Sequence, residues 1–187
     1  MSYLFPPPTP PHPILNYEDI MKKYTVLGAG SWGTTLADLL AAKGLPTFLW
    51  ARSPELAATI KKDRENHVYL PGIRLSENLH ITSSLEEALD GAGLVVSAIP
   101  SHGMRGVWDT ARGFIGKDTV IVSATKGIEE ETLFTPSAIL KDALNASPCS
   151  GIVVLSGPSF AKEVVRRLPA AVCAASVSEG AARVARG

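Results

Sequence analysis

From Tyr24 onward, short apolar runs alternate with stretches whose apolar residues recur at helical spacing. Val120-Ile121-Val122 and Ile152-Val153-Val154 are unbroken β-branched runs, as expected of strands covered on both faces. Strands are predicted at 24–27, 47–50, 79–82, 94–99, 119–123, 152–155 and 171–174. Leu36, Leu39 and Leu40 mark a helix after the first strand, closed by Lys43-Gly44 in the manner of a C-cap. Leu85, Ala88 and Leu89 mark another, with Ser83 and Glu86 spaced as a capping box. An Ala-rich helical pattern fills 178–187. Strands alternating with helices predict an α/β domain built on a doubly wound, mostly parallel sheet. No repeat of solenoid type interrupts that order.

Composition narrows the partners. Eighteen basic residues balance eighteen acidic ones. No net field therefore favours nucleic acid or an anionic membrane, and neither is expected as a partner. An anion bound here must be held by a local site. The two cysteines, Cys149 and Cys173, are too few for a disulfide framework or a Cys-x-x-Cys metal site, and no metal is expected. They read as small buried hydrophobes.

Residues 1–20 differ from the rest. Prolines at 6, 7, 8, 10, 11 and 13 favour polyproline II and supply few backbone donors. This stretch is expected to be a disordered leader to a domain spanning 21–187, which opens at Met21 like a natural protein start. It has neither the basic start nor the continuous apolar core of a signal peptide, so a cytoplasmic location is expected.

The strongest motif is Gly28-Ala29-Gly30-Ser31-Trp32-Gly33, between the first strand and the first helix. G-x-G-x-x-G alone is a weak signal, but strand–turn–helix is the context that the dinucleotide fingerprint requires. Gly28 permits the tight turn, Gly30 lets the backbone approach a pyrophosphate, and Gly33 allows close helix–strand packing. The helix N-terminus then holds the phosphates without net protein charge. At the end of the second strand, where NAD-specific domains place an acid, the chain reads Trp50-Ala51-Arg52-Ser53. A carboxylate would repel the 2′-phosphate of NADP, whereas an arginine can pair with it or stack on adenine. The expected cofactor is NADP or NAD.

Ligands of open α/β sheets sit outside the carboxyl ends of the strands. Three predicted strand ends carry polar loops, at 99–102, 123–127 and 156–161, and these should converge near the nicotinamide. Lys126 can anchor an anionic substrate, while Gly157 and Ser159 offer a close backbone approach and a hydroxyl. A solvated lysine and a plain turn are the rival readings from spacing alone. His102 suits a general base by its chemistry, or equally a helix cap, and no catalytic residue is assigned.

Five ordered motifs, VLGAGSWGTTLA, RENHVYLPG, AIPSH, SATKGIE and LSGPSFAKEV, together resemble NAD(P)-dependent glycerol-3-phosphate dehydrogenases of the bacterial and plastid kind. The resemblance runs from about Lys22 to the end of the chain. It implies a Rossmann-type domain and an enzyme moving a hydride between NAD(P)H and dihydroxyacetone phosphate/sn-glycerol 3-phosphate. It implies cofactor contacts from Ser31, Trp32, Arg52, Ser53, Tyr69, Lys126 and Ala161, beside the glycines, and substrate contacts from Lys126, Gly157 and Ser159. It further implies a homodimer for the full-length protein, and a helical second domain holding the general acid/base lysine, absent from these 187 residues. Two alternatives stay open on the sequence: a 3-hydroxyacyl or 6-phosphogluconate type of dehydrogenase, since fold does not fix function, and a non-catalytic dinucleotide-binding module.

Overall fold

The computed structural model describes residues 23–144 and 149–186; the proline-rich stretch 1–20 lies outside them. β1 (Lys23–Leu27), β2 (Thr47–Trp50), β5 (Leu79–Thr82), β6 (Ala92–Ser97), β7 (Val120–Ser123), β8 (Gly151–Ser156) and β9 (Cys173–Ala175) form one sheet in the order β5-β2-β1-β6-β7-β8-β9. All pairs are parallel except β8–β9, which is antiparallel. The chain winds outward from β1 to β2 and β5, then returns to β1's other side at β6. A doubly wound sheet has its ligand crevice at that reversal.

The apolar runs are explained by a two-sided core. Val26, Leu94, Val96, Val120 and Val122 face one buried cluster, while Leu27, Val95 and Ile121 face the other. Successive strand side chains point to opposite faces, so burial of both faces makes runs of successive positions apolar. α1 (Ser31–Ala42), α2 (Pro54–Asp63) and α7 (Glu179–Arg186) cover the first face. α3 (Leu85–Leu89), α4 (Ser101–Ala111) and α5 (Pro136–Leu144) cover the second, with Met104, Trp108, Ile139 and Leu140 fully buried. The short α6 (Ala161–Val164) follows β8.

Several expectations need correction. The strand predicted at 94–99 is β6, which ends at Ser97 and so frees residues 98–100 as a loop. The leucines of α1 do not mark its buried face. That face is Gly33, Thr34, Thr35, Ala37, Asp38 and Ala41, while Leu36, Leu39 and Leu40 are half-buried. Small residues bring the helix axis close to the sheet, and the leucines pack around the rim. The cap of α3 is Ser84, whose hydroxyl accepts from the Glu87 amide at 3.1 Å, one residue beyond the Ser83/Glu86 register. A hairpin of β3 (Glu65–Asn66) and β4 (Leu70–Arg74) was not anticipated. Neither cysteine is buried: Cys149 is half-buried and Cys173 exposed.

Candidate functional site

The glycine loop is shaped by two glycines that the protein itself requires and one that it does not. Gly28 has φ +110, and a Cβ there would lie 2.8 Å from the Ala98 carbonyl oxygen. A Cβ on Gly33 would lie 1.9 Å from the Gly28 carbonyl oxygen, because α1 starts against the turn. Gly30 has φ −73 and ψ 179, which any residue adopts, and a Cβ there would meet nothing within 4 Å. The fold thus needs no glycine at 30. Gly30 is the N-cap of α1 and gives no side-chain cap, so the first amides of the helix are not closed off by the protein's own side chain.

Beside Gly30 opens a cleft of about 300 Å³. Ser31 and Trp32 line it from α1, Ala98, Ile99 and Pro100 from beyond β6, Ala124, Thr125 and Lys126 from beyond β7, and Ser159, Phe160 and Ala161 from beyond β8. The polar strand ends therefore meet the glycine loop in one place. A larger hollow of about 610 Å³ lies at the opposite ends of the strands, with Glu86, Glu87 and Asp90 among its walls. Three acids make it a poor receptacle for phosphates.

Each loop of the cleft is pinned. Thr125 donates through its hydroxyl to the Ile99 carbonyl at 2.8 Å, joining the β6 and β7 loops. Beyond Lys126, Glu129 accepts two hydrogen bonds from Arg105 of α4, at 2.9 and 2.8 Å. The guanidinium holds the Glu129 carboxyl below the usual carboxylate range. Lys126 itself is exposed, held between these two ties. On the far wall, Thr35 of α1 reaches the Ala161 carbonyl at 3.4 Å, while buried Asp38 accepts from the Ser76 amide at 2.8 Å and from Arg167 at 3.1 Å. The Ala161 and Arg167 contacts dock the segment around α6 onto α1.

The remaining candidates are scattered around this centre. Ser159 is buried and donates to the Gly157 carbonyl at 3.3 Å. Gly157, at φ +143, is required by the protein: a Cβ there would lie 2.5 Å from the Ala171 carbonyl oxygen. Its close backbone approach is to the strand entering β9. Arg52 is exposed at the end of β2. Ser53 caps α2, accepting from the Leu56 amide at 3.1 Å and donating to Glu55 at 2.6 Å. That bond holds the Glu55 carboxyl below its ordinary range and puts an acid three residues beyond Arg52, just past the end of β2. Tyr69, half exposed in the turn of the β3–β4 hairpin, and His102, exposed on the first turn of α4, are not among the residues lining the cleft. Thr35, Asp38, Asn66 and Arg105 organise the site without having been singled out; Thr35 and Asn66 lie inside quoted motifs, but nothing in the sequence shows what either one touches.

A doubly wound sheet with a glycine turn, an uncapped helix and a cleft at the strand reversal defines a dinucleotide-binding α/β domain. Residues 23–182 match the family model described as the N-terminus of NAD-dependent glycerol-3-phosphate dehydrogenase, and the chain belongs to that family. It is 48% identical over 162 residues to the glycerol-3-phosphate dehydrogenase [NAD(P)+] of Citrifermentans bemidjiense, covering 87% of this chain and 48% of that relative. It is 46% identical over 164 residues to the enzyme of the same name from Corynebacterium glutamicum, covering 88% and 49%. Among solved structures, the glycerol-3-phosphate dehydrogenase of Coxiella burnetii superposes with a TM-score of 0.81 at 30% identity, covering 88% of this chain and 49% of that one. The chain spans about half the length of the curated relatives it matches. Among the described residues, no helix is long and apolar enough to cross a membrane.

Proposed function

We propose that residues 21–187 are the NAD(P)-binding domain of a glycerol-3-phosphate dehydrogenase, which moves a hydride between NAD(P)H and dihydroxyacetone phosphate/sn-glycerol 3-phosphate. The observation that carries the cofactor reading is Gly30. It is a glycine that neither its backbone angles nor its neighbours require, set at the mouth of an uncapped helix and opening on empty space. A pyrophosphate passing there gives the missing side chain its physical reason.

When bound, the nicotinamide supplies the hydride. The chain's residues bind and orient. Gly30, Ser31 and Trp32 offer helix N-terminal amides to the phosphates, with Gly28 and Gly33 holding the turn that presents them. Arg52 meets the ribose end, with Ser53 and Tyr69 as further contacts, and Ala161 closes the nicotinamide side. Lys126, held between the Thr125 and Glu129 ties, directs an ammonium toward the substrate's anionic oxygens, with Ser159 on the facing wall and Gly157 in the turn before it as the further contacts. The proton-transferring lysine implied by the resemblance is outside these residues. A homodimer and a cytoplasmic location belong to the same proposal, supported by the family alone.

Calorimetric titration of the chain with NADPH and NADH tests the cofactor reading; saturable binding is expected, and failure of both to bind would overturn it. An absorbance assay with dihydroxyacetone phosphate on a version extended by a relative's second half tests the reaction. Tight binding without turnover in that version would favour a non-catalytic module.

A further inference from the structure

RENHVYLPG is the one motif that the cleft does not use, yet it touches the glycine loop. Asn66, the last residue of β3, is fully buried. Its side-chain amide nitrogen donates to the Ala29 carbonyl at 2.9 Å and to the Thr34 hydroxyl at 2.9 Å. Its oxygen accepts from the Tyr69 amide at 3.1 Å. The Ala29 carbonyl can only accept and the Tyr69 amide can only donate, so the orientation of the Asn66 amide is fixed from both sides.

These bonds fix more than the hairpin. In a trans peptide the carbonyl and the following N–H point in opposite directions, and the described residues contain no cis peptide. Holding the Ala29 carbonyl toward Asn66 therefore aims the Gly30 N–H the other way. The neighbouring groups are tied elsewhere: the Gly28 amide donates to Trp50 at 3.0 Å, and the Gly30 carbonyl accepts from Thr34 at 2.9 Å. The peptide between Ala29 and Gly30 is thus held by Asn66. Glycine at 30 gives that peptide unusual freedom to rotate, so the loop that best admits a pyrophosphate is also the one most in need of an external anchor.

We propose that Asn66 is the positioning residue of the phosphate loop, orienting the Ala29–Gly30 peptide so that the Gly30 amide meets the pyrophosphate of the dinucleotide. This rests on the cofactor reading above. Asparagine is the residue this position requires: two donors are needed on one nitrogen and an acceptor beside them. Aspartate has the same shape but sets a lone pair against the Ala29 carbonyl, which can only accept, while the Thr34 hydroxyl can turn to donate.

The test uses the 187-residue chain, with NADP⁺ as one probe and 2′-AMP as the other. The second probe carries the adenosine end and its 2′-phosphate but no pyrophosphate. Asn66→Ala and Asn66→Asp are each expected to weaken NADP⁺ by about tenfold, the worth of one well-placed hydrogen bond to a charged group, and to leave 2′-AMP within about twofold of wild type. A buried carboxyl titrates upward. The deficit of Asn66→Asp should therefore shrink on acidification from about pH 8 to 5.5, as the protonated acid regains one donor, while that of Asn66→Ala should not. Asn66→Ala buries no charge and carries the test if the aspartate variant does not fold. Unchanged NADP⁺ affinity in Asn66→Ala, or equal losses for both probes, would overturn the positioning role. Failure of the wild type to bind NADP⁺ would overturn the cofactor reading and this role with it.

Discussion

Gly30 and Gly33 lie three residues apart in the same motif, and the structure assigns them opposite consequences when a side chain is added. At Gly33 the new Cβ would stand 1.9 Å from the Gly28 carbonyl oxygen, a backbone atom that cannot swing aside. Over-packing of this kind costs about 1–3 kcal/mol, so Gly33→Ala should lower the melting temperature by on the order of 5 °C. At Gly30 the added group meets nothing within 4 Å and the backbone is already at φ −73. Reduced freedom of the unfolded chain stabilises Gly30→Ala by about 0.4–1 kcal/mol, and loss of a favourable N-cap residue offsets it by roughly 0.5 kcal/mol. The melting temperature should barely move. Binding should move greatly: a side chain at 30 stands off a pyrophosphate from two or more amides, each charged hydrogen bond being worth about 1.5–3 kcal/mol. Gly30→Val is therefore expected to weaken NADPH by about 10²-fold or more. Thermal denaturation followed by circular dichroism and calorimetric titration, run on all three variants, separate the two effects. A Gly30→Val protein that is stable and binds NADPH like wild type would refute the placement of the phosphates.

Four further outcomes follow from the same geometry. Arg52→Asp should shift preference from NADP toward NAD by about 2 kcal/mol, roughly 30-fold in the ratio of dissociation constants; an unmoved ratio removes Arg52 from the specificity site. Glu55→Gln should favour NADP in the opposite sense, since it removes the carboxylate held at 2.6 Å from Ser53, and titration with both cofactors reads it. The 187-residue chain with NADPH and dihydroxyacetone phosphate should bind cofactor without turnover, because losing a positioned general acid/base removes about 10²–10⁴-fold in rate; an ordinary dehydrogenase rate would place that acid within these residues, with His102 examined first. A chromogenic disulfide reagent should modify exposed Cys173 before Cys149, whose thiol burial pushes up in pKa; the reverse order, read by mass spectrometry, would contradict the packing around β9.

The sheet announced itself in the sequence because both its faces are buried. Runs such as Val120-Ile121-Val122 need no partner to be recognised, and the strand bounds came within about two residues of those observed. Packing that uses small or polar residues left no such mark. α1 buries glycine, threonine and alanine, so its leucines, the only periodic signal available, pointed to its rim. The cap of α3 was ambiguous because Ser83-Ser84 and Glu86-Glu87 offer two registers, and tertiary context selects one: Thr82 hydrogen bonds Glu87 across the turn. The β3–β4 hairpin begins with a two-residue strand, Glu65–Asn66, and carries Pro71 and Gly72, a composition that reads as loop. In the site, the glycines could be read because their spacing encodes a turn. The anchors Asn66, Asp38 and Arg105 act across 24 to 129 positions of chain, and even for Asn66, which lies in a quoted motif, nothing local shows what it touches.

In the proposed complex a dinucleotide's phosphates meet the amides at the start of α1. Amide-resolved NMR of the ¹⁵N-labelled chain titrated with NADP⁺ addresses it directly. Saturable shifts at Gly30, Ser31, Trp32 and Lys126 are expected, with residues 84–91 around the acidic hollow unmoved. Shifts confined to that hollow, or none at any site, would contradict the account.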